Sequence, residues 1–207
     1  MVKGHNGTKN SNSSFNISGV VKKLRSASNV LATYGQINPY SFLHPIAPHI
    51  AARNAGVRID FSRILTSFNE LTSQADVVIV EGIGGFKVPL NEKQDSDELA
   101  QQLRLPVILV VGMQLGCLNH ALLTAGAIEA YGLKLAGWVA NVRDADMLAL
   151  RDNIAALEQR LAAPLLGVIK YQAQPDAHVV AAQLNLELLK ENKADQVQSV
   201  LSSPDVT

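Results

Sequence analysis

Glu81 stands at the end of an uninterrupted apolar run, residues 77–80 (VVIV), and is followed at once by Gly82, Ile83, Gly84 and Gly85. A carboxylate carried off a buried strand, then a stretch with few side chains, suits a magnesium ion beside a phosphate chain. Magnesium prefers carboxylate oxygen and keeps several of its waters. Glycines let backbone N–H groups reach phosphate oxygens with no Cβ in the way. The same residues read equally well as a charged strand end before a flexible turn, because a short Gly-rich run is a weak motif.

Three other places carry groups able to do chemistry. Residues 112–120 (GMQLGCLNH) feed a glycine-bearing loop into a helix whose first turn holds Cys117, Leu118 and Asn119. Free N–H groups at a helix start attract anions, carboxylates included. The same position lowers a thiol pKa, so Cys117 reads either as a nucleophile or as a small semi-buried residue, and the second reading is favoured. His120 has no ligand partner nearby and is read as structural. Asn141 follows an apolar run, and its amide offers the donor and acceptor that a nucleobase edge requires; Asn is also common in turns. Lys170, Tyr171 and Gln172 follow the last apolar run. Trp138 reads as core, and Arg151, Asp152, Glu158 and Arg160 as a solvated helix face.

The elements that position these groups alternate. Asp60 caps a helix running through Thr72, with Phe61, Ile64, Leu65, Phe68 and Leu71 on one face. A strand is expected at 77–80, a short helix at 96–104 with Ser96 as cap, and a second strand at 106–111. A helix at 118–132 ends at Gly132, a third strand covers 135–141, a long amphipathic helix 146–161, and a fourth strand 164–169. Strands that are apolar throughout and separated by helices indicate a parallel sheet covered on both faces, with ligands beyond the carboxyl ends of its strands. Residues 1–19, rich in Asn, Ser, Gly and Lys, and the polar tail 191–207 are expected to remain outside the packed domain.

Composition bounds the rest. The 207 residues are 47% hydrophobic and 17% charged, enough for one α/β domain with a substantial core. Equal numbers of basic and acidic residues give no argument for nucleic acid or an anionic membrane. No apolar run approaches the roughly 20 residues that cross a bilayer. The start has no secretory h-region, and the one cysteine can form no internal disulfide, so the reading is cytoplasmic.

Taken together, residues 37–52 (INPYSFLHPIAPHIAA), 78–90 (VIVEGIGGFKVPL), 105–124 (LPVILVVGMQLGCLNHALLT), 135–141 (LAGWVAN) and 163–169 (APLLGVI) resemble dethiobiotin synthetase. The match runs from about residue 30 to 190, and the LGCxNH and GWVAN segments argue against other P-loop amidotransferases or partitioning-type ATPases. The resemblance implies a P-loop NTPase-like, three-layer α/β fold with a central parallel sheet, working as a homodimer. It implies ATP- and Mg2+-dependent closure of a ureido ring from 7,8-diaminopelargonate and CO2, in biotin biosynthesis. It assigns Glu81 to the metal, and Gly82, Ile83 and Gly84 to the turn near the ATP phosphates. Asn141 would read adenine, and Lys170, Tyr171 and Gln172 would flank the base, where the family more often has Pro and Trp. Gly116, Cys117, Leu118 and Asn119 would hold the substrate carboxylate across the dimer interface. Pro48 and His49 fall in a matching segment without assigned chemistry.

The sequence departs from the family at its start. No Gly-x-x-x-x-Gly-Lys-Ser/Thr occurs in it, residues 4–9 (GHNGTK) lack the strand and helix such a loop joins, and residues 17–26 (ISGVVKKLRS) hold no acid. The family's Lys-Pro-Val-x-Ser-Gly stretch, which positions the diamine, is missing too. The resemblance therefore implies that the first strand and the phosphate loop, with its lysine, are missing. Because that strand lies centrally in the family's sheet, unpaired backbone and exposed apolar surface are expected. Two readings follow: a dethiobiotin synthetase, or a catalytically dead truncated product or non-catalytic dimer partner without the phosphate-binding loop.

Overall fold

The chain is described by a computed structural model over residues 19–190. Residues 1–18 and the tail 191–207 lie outside the described residues, and with them the expectations placed there. The chain divides into two units, one through Asp95 and one from Ser96 onward.

The first unit is helical. It contains α1 (Gly19–Ala27), α2 (Tyr34–Ile37), α3 (Pro48–Asn54) and α4 (Phe61–Thr72). Local signals set these boundaries. Thr33 and Gln36 form a capping box at α2, with the Thr33 N–H donating to Gln36 Oε1 at 2.9 Å. Asp60 caps α4 as read from the sequence, its carboxylate accepting the Ser62 N–H at 2.9 Å. Phe61 is buried, and Ile64, Leu65, Phe68 and Leu71 are half-buried, so the expected apolar face is the one the helix uses. Buried Asn91 pins the loop that follows. Its amide donates to the Ile59 carbonyl at 3.0 Å, and its Oδ1 accepts from the Lys93 and Gln94 N–H groups.

The strand expected at 77–80 does not form. Residues 77–84 are extended or bent, and among the described residues they make no hydrogen bond. Val77 is 77% and Ile79 85% exposed. An apolar run becomes a strand only where a neighbour supplies ladder hydrogen bonds. Among the described residues the run at 77–80 has the composition of a strand but no partner strand, so its backbone is unpaired and its apolar side chains are mostly exposed.

The second unit carries the sheet. Its elements are α5 (Ser96–Leu103), β1 (Val107–Met113), α6 (Cys117–Ala130), β2 (Leu135–Val142), α7 (Leu150–Glu158), β3 (Leu165–Ile169) and α8 (Ala177–Ala181). The three strands are parallel, in the order β1-β2-β3, with Gly112 opposite Asn141 and Asn141 opposite Ile169. Here the α/β reading with a parallel sheet holds. One face of the sheet builds the core: Val111, Met113, Trp138 and Ala140 pack with Cys117 and Ala121 of α6 and Leu157 of α7. Trp138 is fully buried, and its indole N–H has no hydrogen-bond partner among the described residues. On the other face of β1, Ile108 and Val110 are exposed.

Two helices differ from their expected lengths. Ser96 is the first residue of α5 rather than its cap. The helix expected at 146–161 is only Leu150–Glu158. The Asp144 carboxylate accepts the Asp146 N–H at 2.9 Å and holds a turn, and Ala149 takes φ 53°, a left-handed conformation no helix interior contains. Apolar periodicity in 146–149 therefore does not become helix.

Gly167 marks the tightest approach. A Cβ there would overlap the Gln183 carbonyl, because Leu184 bridges Gly167 and the Asn185 N–H donates to the Leu166 carbonyl at 2.7 Å. Gly167→Ala is expected to destabilise the second unit by about 1–3 kcal/mol, measured by urea unfolding; an unchanged midpoint would refute the close approach. Asp60 gives a pH-dependent prediction. The Ser62 backbone N–H, then the Ser62 hydroxyl and the charge of Arg58, hold its carboxyl below the ordinary value. A depressed folded-state pKa means that the cap's contribution is complete above about pH 4 and is lost as pH falls through the lower folded value. The stability gap between the protein and Asp60→Ala is expected to be flat near neutrality and to shrink below about pH 4. A gap that widens in acid would contradict this.

Candidate active site

In the first unit, Glu81 sits at the end of the unpaired apolar run, exposed, with no hydrogen bond or ion pair among the described residues. Its oxygens are therefore available to a cation. Gly82, Ile83 and Gly84 follow it, also exposed. Gly84 has φ 79°, which a residue with a Cβ adopts only under strain, so the turn after Glu81 requires glycine there. Among the described residues no three His, Cys, Asp or Glu side chains gather as a metal site.

In the second unit the remaining groups cluster at the carboxyl ends of the strands. Asn141 is the penultimate residue of β2, half-buried, and its side-chain amide makes no hydrogen bond among the described residues. Gly112 on one side and Ile169 on the other are its register partners, so the strand ends bring Asn141 next to the loop beginning at Lys170. That loop is held from the residues on either side of α8. The Lys170 N–H donates to Gln183 Oε1 at 2.9 Å, and the Gln172 side chain accepts the Asp176 N–H at 3.2 Å. Gln172 is thus committed to the loop's own geometry, while the Lys170 and Tyr171 side chains have no such bond among the described residues.

A cleft of about 440 Å³ opens at the same end of the sheet. Val142, Leu150, Ile154 and Val168 give it an apolar floor. Arg151, Lys170 and Tyr171 stand around it. The sequence reading placed Arg151 on a solvated helix face. It is exposed, and it also borders the cleft from the first turn of α7, which begins four residues later than the apolar periodicity suggests. No signal in the sequence marks that delay except the Asp144–Asp146 turn chemistry.

The start of α6 is the third feature. Gly116 occupies the cap position with φ 90°. The Cys117 N–H is used, donating to the Gln114 carbonyl at 3.0 Å, and the His120 N–H donates to the Gly116 carbonyl. The Leu118 and Asn119 N–H groups have no acceptor among the described residues, so two of the expected donors are open for an anion. Cys117 itself is 2% exposed and part of the core cluster. The thiol therefore packs inward, and the reading of Cys117 as a small buried residue agrees with its place.

The family model of an AAA domain matches residues 9–179. The ATP-dependent dethiobiotin synthetase BioD of Aromatoleum aromaticum is 54% identical over 164 residues, covering 79% of this chain and 73% of that protein. The protein of the same name from Nitrosospira multiformis is 52% identical over 166 residues, 80% of this chain and 74% of that one. The one from Pseudomonas aeruginosa is 49% identical over 157 residues, 75% of this chain and 69% of that one.

Burial of Cys117 makes a direct prediction. In the native protein its reaction with a disulfide reagent is expected to be at least about 100-fold slower than in urea, since attack requires opening of the core around α6. Native and denatured rates that agree would show an accessible thiol and reopen its role as a nucleophile.

Proposed function

The chain belongs to the ATP-dependent dethiobiotin synthetase family, ligases of biotin biosynthesis, and on that premise we propose that it closes the ureido ring of dethiobiotin from 7,8-diaminopelargonate, CO2 and Mg-ATP. The identity of about half over some four-fifths of the chain carries this reading. One amine of the diamine captures CO2 as a carbamate, ATP phosphorylates the carbamate oxygen, and the second amine displaces phosphate as the ring closes. ADP and phosphate leave.

In this reading Glu81 holds the magnesium ion, which neutralises phosphate charge when bound. Its exposed and unpaired carboxylate supports that role. Gly82, Ile83 and Gly84 leave the backbone accessible to the phosphates, and the positive φ of Gly84 is consistent with such a turn. Asn141 reads the base and Lys170, Tyr171 and Gln172 flank it; the pairing of Asn141 with Ile169 supports their grouping. The open N–H groups of Leu118 and Asn119 receive the substrate carboxylate, with Gly116 and Cys117 shaping the turn. Assembly as a homodimer and a cytoplasmic location belong to the same proposal. Among the described residues no helix is long and apolar enough to cross a membrane.

The decisive experiment incubates the purified chain with Mg-ATP, bicarbonate and 7,8-diaminopelargonate and follows dethiobiotin by mass spectrometry. Diamine-dependent product is the expected result. Its absence favours the second reading, a catalytically dead product or a non-catalytic partner of an intact homologue, which rests on the lack of a Gly-x-x-x-x-Gly-Lys-Ser/Thr sequence in the 207 residues. Glu81→Ala is expected to lower Mg-ATP turnover by about 100-fold or more, as loss of a transition-state charge contact does. Turnover unchanged in Glu81→Ala would defeat the metal role.

A further inference from the structure

Arg143 is a cation at the carboxyl end of the sheet, two residues beyond Asn141. Two observations place its stem on the Asn141 face. Side chains alternate along a strand, so Asn141 and Arg143 project to one side and Val142 to the other. Independently, a Cβ added to Gly112 would lie 3.4 Å from Arg143 Cγ. Gly112 is the register partner of Asn141, and paired residues share a face. The stem of Arg143 therefore leans from the end of β2 over the end of β1, where residue 112 has no side chain to oppose it.

The order of the strands gives this placement a direction. The loop of Lys170, Tyr171 and Gln172 leaves β3, Asn141 belongs to β2, and Arg143 leans over β1. A nucleotide whose base lies between Asn141 and the β3 loop has the β1 side left for its sugar and phosphates. Arg143 is exposed, and among the described residues it makes no hydrogen bond or ion pair. The carboxylate next in sequence, Asp144, accepts the Asp146 N–H at 2.9 Å and closes a turn instead. A free guanidinium offers donors and no acceptor, in a fork that matches two phosphate oxygens. A base edge needs both a donor and an acceptor, which the Asn141 amide supplies.

We propose that Arg143 binds the phosphate chain of the nucleotide, so that β2 holds the ligand at two points, the base through Asn141 and the phosphates through Arg143. This rests on the base reading of Asn141 and adds a phosphate-binding residue to it.

The probes are adenosine and ADP, titrated separately into the full chain by calorimetry in the presence of magnesium. ADP is expected to bind more tightly than adenosine. Arg143→Ala is expected to weaken ADP binding about ten-fold, the effect of losing one charge-assisted hydrogen bond. Adenosine binding is expected to stay the same in Arg143→Ala, which also shows that the fold of the variant is intact. Arg143→Lys is expected to recover most of the lost ADP affinity, since it keeps the charge and loses only the fork. Two results would overturn the proposal and leave the base reading standing: ADP binding no tighter than adenosine in the native chain, or ADP binding unchanged in Arg143→Ala. Equal weakening of adenosine and ADP in Arg143→Ala would overturn it too, because a phosphate contact does not touch the nucleoside. Failure of both probes to bind at millimolar concentration would remove the base reading and the proposal with it.

Discussion

Among the described residues β2 is the one strand with both edges paired, and the second unit depends on that pairing. Its residues Ala136, Trp138, Val139 and Ala140 are buried because the strand has a neighbour on each side and helices over one face. The register then fixes where chemistry can occur. With Gly112, Asn141 and Ile169 in line across three strands, the loops that leave the sheet emerge side by side. The start of α6, the Asn141 amide and the loop from Lys170 gather at one end for this reason and not because of any direct bond among them. Two close approaches tune the arrangement. Gly137 leaves space for Leu166, and Gly167 admits the chain near Leu184, so that the segment carrying Gln183 returns to hold Lys170.

The run around Glu81 shows what the same composition does without pairing. Residues 107–111 and 77–80 are both rich in Val and Ile, yet only the first is a strand. The difference is a partner's row of N–H and C=O groups. A strand is a relation between two segments, whereas a helix such as α4 satisfies its own backbone. Gly84 keeps its left-handed turn regardless, since that is a local property of the backbone. Glu81 consequently has its chemical identity and its adjacent turn, while the run before it has no strand partner among the described residues.

What was legible in the sequence divides along the same line. The Asp60 cap, the apolar face of α4, the Gly132 terminus of α6 and the three strands of the sheet were readable, because each rests on local capping chemistry or on apolar runs that find neighbours. The strand at 77–80 was misread because composition reports apolarity and not pairing. The long helix at 146–161 was misread because periodicity continues through a turn that Asp144 closes. At the candidate site, the sequence marked the start of α6 and the ends of β2 and β3. It could not mark Arg151, which borders the cleft through the point at which α7 begins, nor Gln183, which reaches Lys170 from a segment thirteen residues away. The start of α7 is marked locally only by the Asp144–Asp146 turn, and the reach of Gln183 has no local mark.

The buried indole of Trp138 has a consequence of a different kind. It is the sole tryptophan of the chain and lies entirely within the second unit, against the helix that begins at Cys117. The first unit has only tyrosine and phenylalanine as aromatic residues. Ultraviolet emission excited at the red edge of protein absorption therefore comes from the sheet-bearing half alone, blue-shifted by its apolar surroundings. The molecule carries a built-in optical label that separates the melting of one half from that of the other, and places its chromophore one helix start away from the open Leu118 and Asn119 amides.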